Sequence, residues 1–396
     1  MKLYKYIFYL IILLAIGSRL IAIQIYGDTR LDNEWGVILN NLVSNGVFGF
    51  REIKGQIFPN LFMPPLYPLF LYLVQFINPF ENYFVEVVLY VQLLLSAISM
   101  FYFFKLLKLF YNDKISLIGL SVFSVFPLNV FSVSQISSIT LQILLSILFF
   151  YTFIQFIKNT EKKFLYIFSI ISALLILLRG EFIIIYFLTL IFISYTKKKF
   201  YIFILSLIVA LTVLSPYLIR NYLTFNQITI TKSFGYNLWK GNNNLSNSQG
   251  NEKIYNTRMQ EKINNIKLSQ NYDIEIDQIY KDEAILNIKK NPGKYIRGYF
   301  EKIFSFLFID LKSTYPNYYN IIHLAPKIIL SILSIIASIK LIYTRSILNY
   351  FSIYYIFNIS LFAVFFILPR YSLMILPAQI IVSCYLLKFS KLNTSN

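Results

Sequence analysis

The chain predicts an all-α membrane protein, a multi-pass transmembrane helical bundle with interfacial helices outside it, and two observations carry that reading. Hydrophobic residues fill 57% of its 396 positions and charged residues only 14%, where a soluble domain holds about a quarter charged. The apolar residues also come in long runs. Ser116 to Phe131 and Leu141 to Ile157 hold no Asp, Glu, Lys, Arg or His, and at about 1.5 Å per residue each covers most of a bilayer. Backbone polar groups in lipid are satisfied only within their own segment, so these runs predict helices. The mean hydropathy of +0.62 agrees.

The basic residues punctuate the runs. Lys2 and Lys5 precede a first span near 5–23. Further clusters are Lys105, Lys108 and Lys114; Lys158, Lys162 and Lys163; Lys197, Lys198 and Lys199; Lys340 and Arg345; and Lys388 and Lys391. With all of them on the cytoplasmic side, further spans fall near 84–104, 116–133, 138–157, 164–179, 182–196, 200–218, 324–343, 347–368 and 372–388. That makes about ten spans in a single membrane domain, with both termini inside and the segments 24–83 and 219–323 outside. Lysines in the second segment do not oppose this, since long loops cross largely regardless of charge. No small-residue cleavage site follows the first run, which reads as an uncleaved anchor.

The net charge of +18 sits mostly in these short clusters or in a long loop that also carries acids. Such a distribution fixes topology and argues against a nucleic-acid partner. A single cysteine, Cys384, excludes an internal disulfide and a cysteine-based zinc site, and a single histidine, His323, excludes a histidine-rich metal site.

The first outer segment reads Asp28-Thr29-Arg30-Leu31-Asp32-Asn33-Glu34-Trp35, then Leu39, Leu42 and Val43 at helical spacing, then Gly46 and Gly49. In Pro64-Pro65-Leu66-Tyr67-Pro68 three prolines crowd five positions, so the chain turns there. Leu66 to Ile77 is short for a span and suits an interfacial or re-entrant helix. Asp32 and Glu34, just outside the membrane, are placed to deprotonate a hydroxyl or amine acceptor. The competing role for Asp32 is to cap the helix that starts near Asn33.

Arg179 lies between two apolar runs at an expected outer end, with Glu181 nearby. Charges at a membrane edge are costly and often functional; the plainer role is a local pair or a snorkel to the headgroups. Arg220, just past the 200–218 span, has the same two readings. Trp239 to Gly250, rich in Asn and Gly, reads as a loop. Residues 277–290 read as an amphipathic helix ending before Pro292, and 295–308 as an interfacial helix.

Several stretches, in order, resemble the GT-C superfamily, and within it the dolichyl-phosphate-mannose-protein mannosyltransferase (family 39) and aminoarabinose transferase group. They are the Asp-x-Glu-aromatic segment at Asp32, the Gly46 to Phe50 stretch and Pro64-Pro65-Leu66-Tyr67-Pro68-Leu69-Phe70-Leu71; then Leu178-Arg179-Gly180-Glu181; then Ser215-Pro216-Tyr217-Leu218-Ile219-Arg220-Asn221-Tyr222 with Gly235-Tyr236-Asn237-Leu238-Trp239-Lys240-Gly241-Asn242-Asn243; and finally Arg370-Tyr371 with Leu376-Pro377. The resemblance implies an inverting glycosyltransferase of the cell envelope. It would act at the outer, periplasmic side of the plasma (inner) membrane on a polyprenyl-phosphate sugar, passing the sugar to a glycan, lipid or protein acceptor.

By the same resemblance Asp32 is the base and Glu34 a supporting carboxylate or metal ligand, a divalent metal being the one cofactor left open. Arg370, with Arg220 and Arg179, would bind the donor phosphate. Tyr67, Tyr236, Asn237, Trp239, Asn242 and Tyr371 would touch substrate, by hydrogen bonds to sugar hydroxyls or by stacking on a sugar face. Three departures stand out: Gly180 where proline is usual, Trp35 where tyrosine is frequent, and Ile139 where an acid is common. The chain ends soon after the Arg370 span, so no soluble carboxy-terminal domain is expected, which leaves the acceptor open. The alternative from another class is a transporter or flippase of a lipid-linked saccharide. Against it, no internal repeat is visible and the notable charges gather at one set of helix ends rather than at the midplane.

Overall fold

The computed structural model describes residues 2–53, 55–78, 83–267, 269–310, 312–313, 320–344 and 346–389; Arg345 and Lys391 of the basic clusters lie outside them. The chain opens with α1 (Lys2–Tyr26). Two short helices, α2 (Glu34–Asn45) and α3 (Leu66–Ile77), flank a hairpin of β1 (Arg51–Ile53) and β2 (Gln56–Phe58). Then come α4 (Phe84–Lys108), α5 (Asp113–Val125), α6 (Pro127–Phe131), α7 (Ile139–Asn159), α8 (Lys162–Leu178), α9 (Phe182–Lys197) and α10 (Tyr201–Phe225). A lobe of α11 (Phe234–Asn242), α12 (Thr257–Asn264), α13 (Tyr272–Lys290) and α14 (Pro292–Leu307) precedes α15 (Ile321–Ile342), α16 (Leu348–Val364) and α17 (Ser372–Phe389).

This is a multi-pass helical membrane protein. Among the described residues, α1, α4, α7, α10, α15 and α17 (with the turn before it) have the length and hydropathy to cross a bilayer, and α5 with α6 forms a broken seventh. The shorter α8, α9 and α16 occupy the other expected runs. Buried positions make up 78% and 72% of the apolar windows of α7 and α17, against 17% and 22% in α1 and α10. The bundle is therefore built around α7 and α17, with α1 and α10 turning most of their surface to lipid.

The ends of α4, α7 and α9, which carry three of the basic clusters, meet at one end of the bundle. There Lys158 donates to the Leu109 carbonyl and Lys197 to the Ile157 carbonyl. The described parts of the 24–83 and 219–323 segments collect at the opposite end, the lobe end.

Two expected elements differ. The 116–133 run is not one helix: it bends by 57° between Val125 and Pro127, because proline lacks an N–H and disfavours helix at the residue before it. Arg19, from the last third of α1 and fully buried, fits this break. Its Nη1 donates to the carbonyls of Ser124 (2.9 Å) and Ala15 (3.0 Å), and its Nε to Ser96 Oγ (2.8 Å). A guanidinium at the carbonyl end of a helix satisfies acceptors that the break has freed. The sequence held a signal for it, a lone arginine inside an apolar run. The second difference is α10, which continues through Pro216 to Phe225, so Arg220 and Asn221 stand on a helix and not in the loop expected from residue 219.

These two segments, 24–83 and 219–323, fold together as one unit. Arg51 Nε lies 2.9 Å from Asp273 Oδ1, and Asp273 Oδ2 accepts the Leu61 N–H (3.1 Å). The Lys232 N–H donates to the Leu61 carbonyl (2.7 Å), and the Phe62 and Tyr236 rings meet edge to face. The lobe has its own small core of Leu238, Trp239, Met259, Ile276, Tyr280 and Ala284.

Candidate active site

The 28–35 segment is held over the lobe end of α7. Asp28 Oδ2 accepts the Ile136 N–H (2.6 Å), and the Asp28 N–H donates to the Ser134 carbonyl (3.0 Å). Further along, the Trp35 ring meets Tyr67 edge to face at 5.2 Å. The Tyr67 hydroxyl donates to Gln92 Oε1 (3.1 Å), whose amide in turn donates to the carbonyls of Val133 and Gln135. Tyr67 is fully buried; burial first, and then the Asp28 carboxylate, raise its phenol well above the usual range. A buried ring is not a substrate contact. Tyr67 instead supports Trp35, and through it the start of α2.

Asn33, and not Asp32, caps α2: its side chain accepts the Trp35 N–H. Asp32 and Glu34 are exposed beside the cap, so the capping role is filled and both carboxylates remain accessible. Among the described residues no three His, Cys, Asp or Glu side chains gather into a metal-holding group.

Arg179 reaches the same end of α7. Its Nε donates to Gln142 Oε1 (3.3 Å) on the first turns of that helix, and its Nη1 sits 3.7 Å from Glu181. The guanidinium lies over the Tyr371 ring, 5.4 Å from the centroid. Tyr371 stacks on Phe362 (4.9 Å between ring centres), and Arg370 approaches the same tyrosine at 6.0 Å. The two arginines thus share one aromatic mount at the head of α17, an arrangement that attracts cations through the ring quadrupole. Arg370 is exposed and has no ion pair among the described residues. Tyr371 is buried and acts as the mount, not as a free stacking surface. Gln142, at 1% exposure, keeps a buried amide nitrogen without a hydrogen-bond partner; sequence reasoning passed over it because a glutamine in an apolar run gives no charge signal.

Arg220 does something else. Its Nη1 donates to the Asn60 carbonyl (3.0 Å) and Asn221 Oδ1 (2.8 Å), and its Nη2 to the Phe48 carbonyl (3.4 Å). The rings of Phe48, Tyr217 and Phe225 surround the guanidinium. These donors tie Phe48 and Asn60 to α10, a structural role beside the expected phosphate contact.

The Trp239 to Gly250 stretch begins as helix rather than loop. Gly235 and Gly241 let α11 touch backbone: a Cβ at Gly235 would meet the Asp277 carbonyl oxygen at 2.0 Å, and one at Gly241 the Phe365 carbonyl oxygen at 1.7 Å. Trp239 is buried against Tyr280, so it is a core residue and not a sugar platform. Asn242 is also structural: its Nδ2 donates to the Leu238 and Val364 carbonyls (2.8 Å each), and its Oδ1 accepts from Lys302 (2.9 Å). Asn237 is half-buried in α11. Tyr236 is half-buried between Phe62 and Tyr280. Burial, then the Glu252 carboxylate, raise its phenol, while the ion pair with Lys240 holds Glu252 below its usual range.

Lys302 is 2% exposed, and burial lowers its ammonium to about 8. The unfolded chain then holds more protons than the native state between about pH 8 and the ordinary lysine range, so stability rises with pH across that window. The thermal midpoint of native protein is expected to climb from pH 8 to 10 more steeply than that of Lys302→Gln; parallel profiles would refute this account of Lys302.

No protein-family model matches this chain, and no curated protein matches it.

Proposed function

We propose that this protein is a membrane glycosyltransferase that moves a sugar from a polyprenyl-phosphate donor to an acceptor at the outer face, with Asp32 as base. The supporting observation is the convergence at the lobe end of α7. Exposed Asp32 and Glu34 follow Asp28, which is tied to the residues just before α7, and the Arg179–Tyr371–Arg370 mount reaches the first turn of α7 through Gln142. The acceptor hydroxyl attacks the anomeric carbon as Asp32 takes its proton. A new carbon–oxygen bond forms, and the bond from that carbon to the phosphate oxygen breaks with its electron pair. The phosphate leaves as an anion, which the guanidiniums of Arg370 and Arg179 stabilise by charge-assisted hydrogen bonds. A phosphate leaving group needs little protonation, so one base and a cationic clamp suffice. The basic clusters at the far end of the bundle support an outward-facing lobe and cytoplasmic termini. No metal step is invoked for Glu34.

The test is transfer from radiolabelled polyprenyl-phosphate sugar by purified protein, with a panel of glycan, lipid and peptide acceptors. Asp32→Asn is expected to lower the rate by about 10²–10⁴-fold with an unchanged unfolding midpoint. Full activity in that variant removes Asp32 from the mechanism. Movement of the intact donor across vesicles without release of polyprenyl phosphate would replace transfer by transport.

A further inference from the structure

The lobe helix α14 has its polarity reversed. Its inward face carries Lys302 and Ser305, both buried, beside Phe306. Its outward face carries Ile296, Phe300 and Phe304, one helical turn apart, at 55%, 63% and 53% exposure. A helix wet on that face would hold three large apolar side chains in water while a lysine and a serine are buried.

The level of α14 is fixed by two contacts with the span α15. The Ser305 carbonyl accepts from Lys327 (2.9 Å) and the Leu307 carbonyl from Ser331 (2.7 Å). Lys327 and Ser331 stand about 9 and 15 Å along the axis from Ile321 at 1.5 Å per residue. The last turn of α14 is therefore level with the second and third turns of a membrane span, at the depth where an amphipathic helix meets the acyl boundary. Lys289, Lys290, Lys294 and Arg297 are exposed at and before its start, and no acid falls between 289 and 297.

We propose that α14 is a lipid-docking helix, seated on the bilayer with Ile296, Phe300 and Phe304 in the acyl boundary and its basic flank on anionic phospholipid headgroups. Lysine and arginine near such a surface are attracted by its anionic headgroups. The basic flank, and not the apolar face, then makes the seating depend on headgroup charge.

Full-length protein in nanodiscs tests this, with a bimane fluorophore on Phe300→Cys or, separately, on Ile296→Cys; Cys384 is buried. Doxyl-labelled lipid is expected to remove most of the emission at both positions and aqueous iodide little. Lys262→Cys on exposed α12 should give the reverse. Iodide-dominated quenching at both α14 positions would overturn the proposal. The lipid quenching should also be stronger in phosphatidylglycerol–phosphatidylcholine discs than in phosphatidylcholine alone, and the difference should vanish when Lys289, Lys290, Lys294 and Arg297 are all changed to glutamine. Equal quenching in the two lipids overturns the anionic preference. These readouts do not involve sugar transfer, so they stand or fall apart from the proposed activity.

Discussion

Replacing Arg370 with glutamine is expected to lower sugar transfer by about 10²–10³-fold, the cost of removing one donor aimed at a developing anion, and to leave the thermal midpoint in place. The reason is its situation: exposed, without an ion pair among the described residues, and fixed only by its place beside Tyr371. Arg220→Gln should do the opposite to stability. Its donors hold the Asn60 and Phe48 carbonyls, and leaving such acceptors unpaired costs about 1–3 kcal/mol each. Transfer rates and thermal unfolding of both variants, measured side by side, separate the roles. A destabilised Arg370→Gln with unchanged specific activity would sink the phosphate-clamp reading.

The second large effect is steric. Gly241→Ala would put a methyl carbon 1.7 Å from the Phe365 carbonyl oxygen, and backbone cannot yield as a flexible side chain can. Overpacking of this kind costs about 1–3 kcal/mol or more. The strain falls on the stretch that Asn242 holds through Val364 and that leads to Arg370. The midpoint and transfer should therefore fall together. Gly298→Ala is the control: it is helical, with nothing within 4 Å of the added carbon, and should gain about 0.5–1 kcal/mol from helix propensity. Equal midpoints for the two variants would refute the close-contact account.

Among the described residues six spans and a broken seventh, of about ten expected, were legible because apolar run length and charge punctuation are strong, additive signals. Leu66 to Ile77 and the start of α2 appear where the sequence puts them. The Pro127 bend was written in the sequence too, but hydropathy reads straight through a proline. The site was legible in part. Arg179 and Arg370 do come together, although they are far apart in the chain, because both helix ends meet at the head of α7. The rest depended on packing. Trp239, Tyr67 and Asn242 have the side-chain chemistry of sugar binders, and only their burial, the Tyr280 ring against Trp239 and the hydrogen bonds of Tyr67 and Asn242 mark them as structure. Asn33 and Asp32 are both good caps, and nothing local decides between neighbours. The β1–β2 hairpin is held from outside, by Asp273 on Arg51, and no short-range pattern announces such a partner.

That clamp also bears on how the protein is made. Arg51 and Asp273 are 222 residues apart, so at about 5–20 residues per second roughly 10 to 45 s separate their synthesis. Throughout that interval the segment that carries Arg51 has already been made, while the carboxylate that pins its hairpin does not yet exist. Maturation of the lobe is therefore a late event, completed only after most of the bundle has been threaded into the bilayer. A ribosome stalled between α10 and α13 would leave a well-inserted membrane protein with an unfinished lobe end.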